Sequence, residues 1–435
     1  MPRTLALAAS LALVPALALV GCSAVAAQPA GTTITAAAEA GTASALWDPS
    51  VLHTIDLDVE PSALEEALSA YLESGEKVWV EAAVTIDGVR YEQVGIKLKG
   101  NSSLREISAD TDPATIPWRI RLDKYVDDQS WDGETDLVVR GNSSETSLNE
   151  AVALGLLDAA GLASQAAIGT AFSVNGGDAQ LRLVIQNPND TWASQQLGAG
   201  TLLYKSEAEG TWDYVGDDPA DYVASFEQEA GDEDVAPLIA FLDFVSNADD
   251  ATFAAELGEH LDVEAFATYL AFQDLVGNTD DIDGPGNNSY LSYDPETGRM
   301  TVVNWDLNLA FGGMPGGGMP GGGFPQQGDD FAPSQGGMPE LPQGAMPGMP
   351  QGGAGGGPST GNVLAERFRA DADFAALVDA ATDRLEAELV DSGIAAQLLS
   401  AWTAMLERDA GALVDAQTVR SEAATIATAL GIAAP

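Results

Sequence analysis

A chain of 435 residues with 66 Asp and Glu against 18 Lys and Arg carries a formal net charge of −48. That balance opposes nucleic-acid binding, which needs a basic face to displace counterions, and opposes docking on an anionic membrane surface. Hydrophobic residues, at 46%, suffice for a sizeable core, while one Cys and two His exclude a cysteine nucleophile, a disulfide scaffold or a Cys/His zinc site. Polar chemistry must rest on carboxylates, amides and a few cations.

The N-terminus has Arg3, an apolar Ala/Leu run and Leu19-Val20-Gly21-Cys22. A cationic start, a short apolar core and a small-residue cleavage site read as a secretory signal over residues 1–21. Leu-x-Gly-Cys resembles the bacterial lipobox, which implies lipidation of Cys22, an extracytoplasmic location and attachment to the membrane through the lipid alone. The small, polar stretch 22–48 suits a flexible tether.

From there the pattern is β-rich. Val51–Leu57 alternates, and Pro61–Leu68 opens like a helix with Pro and acids in its first turn. Val78–Ile86, Arg90–Lys99, Trp118–Leu122 and Asp136–Arg140 read as strands, with Asp87-Gly88 a hairpin turn. Leu148–Ala160 reads as a helix closed by Gly161, and Ala167–Val174 with Gln180–Ile185 as a hairpin. Helical patterns dominate from about 219, for example Val235–Val245 and Val263–Val276, interrupted by a strand pair at Asn288–Tyr293 and Met300–Asn304. Residues 312–358 are rich in Gly, Pro and Met and lack the side chains to order themselves; amphipathic helices return at 359–435. The expected division is a β-rich lobe at 49–205, a helical lobe at 206–311 completed by 359–435, and a disordered insertion between.

The charges are segregated. Eight of the basic residues lie between 90 and 140, whereas Arg299 is alone among many acids between 206 and 366. A nucleotide–metal site asks for that split, cations for the phosphates and carboxylates for a divalent ion; an acidic protein neutralising its own sheet gives the same split. Lys97 and Lys99 share one face of a strand, as do Arg119 and Arg121, and Gly100-Asn101-Ser102-Ser103 offers a turn with backbone N–H groups for an anion. Asp280-Asp281-Ile282-Asp283-Gly284 is an acidic loop, without the alternation of an EF-hand, and Asp306 follows a hydrophobic strand.

Four segments, in order and spacing, resemble the CotH family of atypical secreted kinases. They are Gly95–Ser103, Trp118–Tyr125, Gly277–Asp281 with Gly286–Asp294, and Thr301–Gly312. The resemblance covers roughly residues 50–310. It implies an α+β, two-lobed kinase-like fold, with a β-rich N-lobe and a mainly helical C-lobe carrying an inserted hairpin. It also implies ATP with Mg or Mn, and phosphate transfer to Ser or Thr of a secreted or surface protein. On this resemblance Asp280, or Asp281 in its stead, is the catalytic carboxylate. Asp306, Asn288 and Asn308 hold metal, and Lys97, Lys99, Arg119, Arg121 and Lys205 contact nucleotide. Glu150 is either the acidic partner of the Arg119/Arg121 cation or an ordinary surface acid of its helix. Two positions depart from the family pattern: Asn308 stands where an acid is usual, and Gln186 where a Glu is usual. These departures support the competing expectation of a catalytically degenerate kinase fold serving as an envelope or spore-surface scaffold. A Ca²⁺-dependent adhesin is a third reading of the acidic surface.

Overall fold

The computed structural model describes residues 45–207, 210–284, 287–312 and 362–435. The expected leader 1–21, Cys22, the tether up to residue 44 and the insertion beyond Gly312 lie outside the described residues.

The first half is a closed barrel. Its strands are β1 (His53–Asp58), β2 (Val80–Ile86), β3 (Val89–Leu98), β4 (Trp118–Arg121), β5 (Asp136–Val139), β6 (Ala167–Val174) and β7 (Gln180–Gln186), in the order β1-β2-β3-β4-β5-β7-β6. Every neighbouring pair is antiparallel except β6 and β1, which run parallel with Ile55 opposite Phe172 and so close the ring. Alternation explains how one wall serves two cores. Leu137, Val139 and Val184 point into the barrel with Ile55, Phe172 and Trp118, whereas Val138, Leu183 and Ile185 face outward into the core of the helical half. Closure differs from a plain β-rich kinase lobe. Helix α1 (Pro61–Ser74) links β1 to β2, and α2 (Leu148–Ala159) lies between β5 and β6. The β2–β3 turn is tight because Asp87 and Gly88 both adopt positive φ (48° and 81°).

The second half carries a four-stranded antiparallel sheet rather than one inserted hairpin. The expected pair, β10 (Ser289–Asp294) and β11 (Arg299–Asn304), is extended by β8 (Leu202–Ser206) and β9 (Phe226–Ala230) into the order β11-β10-β8-β9. The boundary expected at 205 therefore falls inside β8. Helix α3 (Asp190–Leu197) precedes β8. Around the sheet pack α4 (Ala236–Asn247), α5 (Asp250–His260), α6 (Val263–Val276), α7 (Val363–Ala370), α8 (Ala372–Leu385), α9 (Ile394–Asp409) and α10 (Ala416–Ala429). Helix α6 is buried through Phe266–Gln273. Asp262 caps its N-terminus by accepting from Ala265 N (3.1 Å), and Gly277 ends it in the left-handed conformation, which delivers the chain into the 278–288 loop. Among the described residues no single helix is long and apolar enough to cross a membrane. The fold is thus mixed α+β, with a β-rich N-terminal region and a helical C-terminal region.

Candidate active site

Three elements meet at one buried cation. Arg140 leaves β5, where its backbone N donates to Leu183 O (2.8 Å) and its carbonyl accepts from Arg182 Nη2. Its Nε lies 2.9 Å from Glu150 Oε1, in the first turn of α2, and its Nη2 reaches Asp306 Oδ1, just beyond β11. Arg140 is 8% exposed and Glu150 2%. Burial works against the Arg140 charge, but Asp306 and Glu150 outweigh it and hold the guanidinium protonated more firmly than usual. Burial, reinforced by the Asp306 charge, pushes the Glu150 carboxyl up against the pull of Arg140. Asp306 occupies left-handed space (φ 59°), uncommon for a residue with a side chain and a mark of a turn held by its surroundings. Glu150 is therefore the acidic partner of a cation, but that cation is Arg140, not Arg119 or Arg121.

The barrel supplies the other cations. Lys97 and Arg119 sit directly opposite one another on β3 and β4, an arrangement that repels unless something negative lies between or beside them. Arg119 is answered by Asp136, to which it donates from Nε (2.9 Å) and Nη2 (2.6 Å), with Glu229 of β9 at 4.0 Å. Lys97 lies 4.9 Å from the centroid of the Trp79 ring, which also faces Lys124 (5.1 Å) and Arg119 (5.7 Å). Lys99 turns toward the opposite sheet, its Nζ 5.9 Å from the Trp305 centroid, and the Arg140 guanidinium faces the same ring at 5.7 Å. Burial pushes the Lys99 ammonium down to about 8, with Glu229 pulling the other way. Burial, then the Arg119 charge, also lowers Lys97. Lys205 pairs with Glu207, opposite Glu227 in register, and adds its charge to the field at Lys99. Arg121 is more exposed and is taken up by Asp123 (2.7 Å). Lys99, Arg119, Lys97 and Lys205 thus form one field, and Arg121 stands at its edge.

The acids and amides come from the loop after α6. Asp280 is half-buried and accepts from Asn288 Nδ2 (2.8 Å). Burial and the neighbouring Asp306 charge raise its carboxyl above the usual range. Asp281 faces the other way. It is 3% exposed, accepts from Gly284 N (3.0 Å), and burial with the Asp283 charge pushes it to about 7. The two acids that the sequence left interchangeable are thus separated: Asp280 shares a space with Asn288 and Asp306, while Asp281 closes its own loop. Asn308 offers the protein its backbone, its carbonyl accepting from Ser143 Oγ (2.7 Å) and from Asn149 Nδ2. Gln186 lies apart, donating to Glu134 (2.6 Å) and accepting from Ala166 N (3.0 Å).

Mg²⁺ and Mn²⁺ take hard oxygen donors. Asp280, Asp306 and Asn288 offer two carboxylates, near enough for one to raise the other's proton affinity, and an uncharged amide. This donor set suits such an ion. It differs from a cluster of three or more His, Cys, Asp or Glu, which does not occur among the described residues.

Arg140, Asp136, Glu229 and Trp79 were not singled out from the sequence, and Trp305 only as part of the Thr301–Gly312 segment. One signal for Arg140 was present: Lys99-Gly100-Asn101-Ser102-Ser103 recurs as Arg140-Gly141-Asn142-Ser143-Ser144. Both pentapeptides follow barrel strands and both cations face Trp305. A side chain at either glycine would collide with or crowd Ser103. The first copy exposes Asn101, Ser102 and Ser103 to solvent, and the second is folded inward against Asn308 and α10.

The family model described as CotH kinase protein matches residues 96–423, most of the chain. No curated protein matches it.

Proposed function

Because this chain belongs to the CotH kinase family, a membership that implies use of ATP, we propose that it transfers the γ-phosphate to Ser or Thr hydroxyls of extracytoplasmic proteins while anchored to a membrane through lipidated Cys22. The single observation that supports this most is the Trp305 ring next to Asp306, faced at 5.9 and 5.7 Å by Lys99 and Arg140. It brings the cations of the barrel to the carboxylate side of the second sheet.

Lys99, with Lys97, Arg119 and Lys205 around it, meets the phosphates. Arg140 and Glu150 take the place of the Lys–Glu ion pair of protein kinases, with the fork of Arg reaching two carboxylates at once. Asp280, fixed by the Asn288 amide, accepts the proton of the attacking hydroxyl; its raised proton affinity suits a group that must take one up. Asp306 and Asn288 would hold Mg or Mn, with Asn308 contributing the fixed turn. When bound, the ion would neutralise charge on the transferring phosphate. Low-charge, hydroxyl-bearing protein segments fit better than nucleic acid, given the net charge of −48.

A second reading, a kinase-fold scaffold without catalysis, is favoured by the grip of Arg140 on Asp306. Incubation of the protein with γ-labelled ATP, Mg or Mn and a Ser/Thr-containing protein distinguishes them. Transfer that disappears in Asp306→Asn and Asp280→Asn, at unchanged melting temperature, supports the kinase; transfer that survives Asp306→Asn overturns the assignment of roles. Absence of transfer in the unaltered protein supports the scaffold.

A further inference from the structure

The C-terminal helix α10 packs beside α2 and the turn after Asp306, and one of its side chains is bonded to the segment that leads into α2. Glu422, on α10, accepts from Ser144 Oγ (2.8 Å), Glu145 N (3.0 Å), Thr146 N (3.2 Å) and Thr146 Oγ1. These donors lie on the segment that enters α2. Ser147, at the N-cap, makes no capping bond and sits in left-handed space (φ 54°); the N–H of Leu148, first in the helix, goes instead to Thr146 Oγ1 (3.1 Å). Glu422 in turn accepts from that same Thr146 hydroxyl, and so holds the capping group from behind while placing a negative charge near the positive end of α2, where it is favoured.

The same segment holds the turn that carries Asp306. Ser143 Oγ and Asn149 Nδ2 both donate to the Asn308 carbonyl, two residues beyond Asp306. Three residues with side chains adopt left-handed φ around this contact: Ser147, Asp306 and Phe311 (54°, 59° and 58°). Each is a local cost that persists only while its surroundings enforce it. The path is therefore continuous, from Glu422 to residues 144–146, through Ser143 and Asn149 to Asn308, and from there to Asp306. Glu150, the partner of Arg140, lies one turn along α2 from the same anchor.

We propose that Glu422 is a positioning residue, which sets the Asp306–Asn308 turn and the start of α2 from the far end of the chain. Its catalytic consequence rests on the kinase reading above; its structural consequence does not.

Two measurements on Glu422→Ala, Glu422→Gln and Arg420→Ala test this. Arg420 lies on the same helix but pairs at the surface with Glu407 (2.7 Å), so its loss controls for damage to α10. By hydrogen–deuterium exchange, Glu422→Ala is expected to speed exchange at least tenfold in 304–310 and 143–149, with peptides of β1–β3 unchanged. Arg420→Ala is expected to leave all of them within twofold. In phosphate transfer, Glu422→Ala is expected to lower kcat tenfold or more with KM for ATP within twofold. Glu422→Gln, which keeps an acceptor oxygen, is expected to recover most of that loss. Exchange in 304–310 that does not change in Glu422→Ala overturns the proposal, as does an unchanged kcat or a loss shared equally by Arg420→Ala. If the unaltered protein transfers no phosphate, the kinase reading fails, and the exchange measurement alone decides for or against the positioning role.

Discussion

Replacing Arg140 by Met keeps an unbranched stem of similar bulk and removes every donor. Glu150, 2% exposed, would then be a buried carboxylate without its cation, and Asp306, with a side chain 25% exposed, would keep partial access to water. Breaking a buried pair from one side costs about 3–5 kcal/mol, and most of that should come from Glu150. The sign of the pH dependence follows. Without Arg140 the Glu150 carboxyl rises further above its unfolded value, so the native state binds a proton that the unfolded state has released. Stability of the variant then falls as pH rises above the unfolded carboxylate range, and its deficit against the parent is largest near pH 8 and smallest below pH 5. Urea unfolding across pH 5–8 measures this. The double variant Arg140→Met/Glu150→Gln removes the orphaned charge and should recover at least about half of the loss; Arg140→Lys, a point charge without a fork, should fall between. A deficit below about 1 kcal/mol for Arg140→Met, or one indifferent to pH and to the Glu150 change, would refute the reasoning.

Lys99, pushed down to about 8 by burial, should lose its charge in the free protein above that pH. The dissociation constant for ATP should then rise by up to about tenfold per pH unit, and Lys99→Arg should be flat over the same range. Because the depressed Lys favours its neutral form in the native state, stability of the free protein should increase as pH passes from 8 toward the unfolded Lys value, again not in Lys99→Arg. Asp281, at about 7, should make the native state lose stability between the unfolded Asp range and pH 7, by at most ~4 kcal/mol. Asp281→Asn should remove that part of the slope in thermal melts at pH 4–8. Gln186→Glu, which restores the usual family residue, would set a second carboxylate against Glu134 in a buried site. It should cost about 1–3 kcal/mol in urea unfolding and leave nucleotide binding unchanged.

Local elements were legible because their signals are local. Val263–Val276 could be read from its pattern and its closing Gly277, and the β10–β11 pair from alternation around a turn. Closure of the barrel was not, because it depends on β1 pairing in parallel with β6, more than a hundred residues later, which no periodicity reports. Strands β8 and β9 were hidden for a different reason: Phe226-Glu227-Gln228-Glu229-Ala230 falls where helical patterns dominate the sequence, and the cations that its acids face, Lys205, Lys99 and Arg119, come from distant segments. The site divides in the same way. Asp280, Asn288, Asp306 and Lys99 stood out through the ordered segments of the family resemblance. Arg140 did not, because Arg119 and Arg121 occupy a strand with the same appearance, and only the third dimension shows that Asp136 has claimed one of them and Asp123 the other.

The central claim is that the cations of the barrel and the carboxylates of the second sheet address one nucleotide. Calorimetric titration of ATP with Mg or Mn into the parent protein, Lys99→Ala and Asp306→Asn tests it most directly. One saturable site is expected in the parent, weakened at least tenfold by Lys99→Ala and stripped of its metal dependence by Asp306→Asn. No binding in the parent, or binding that neither substitution alters, would contradict it.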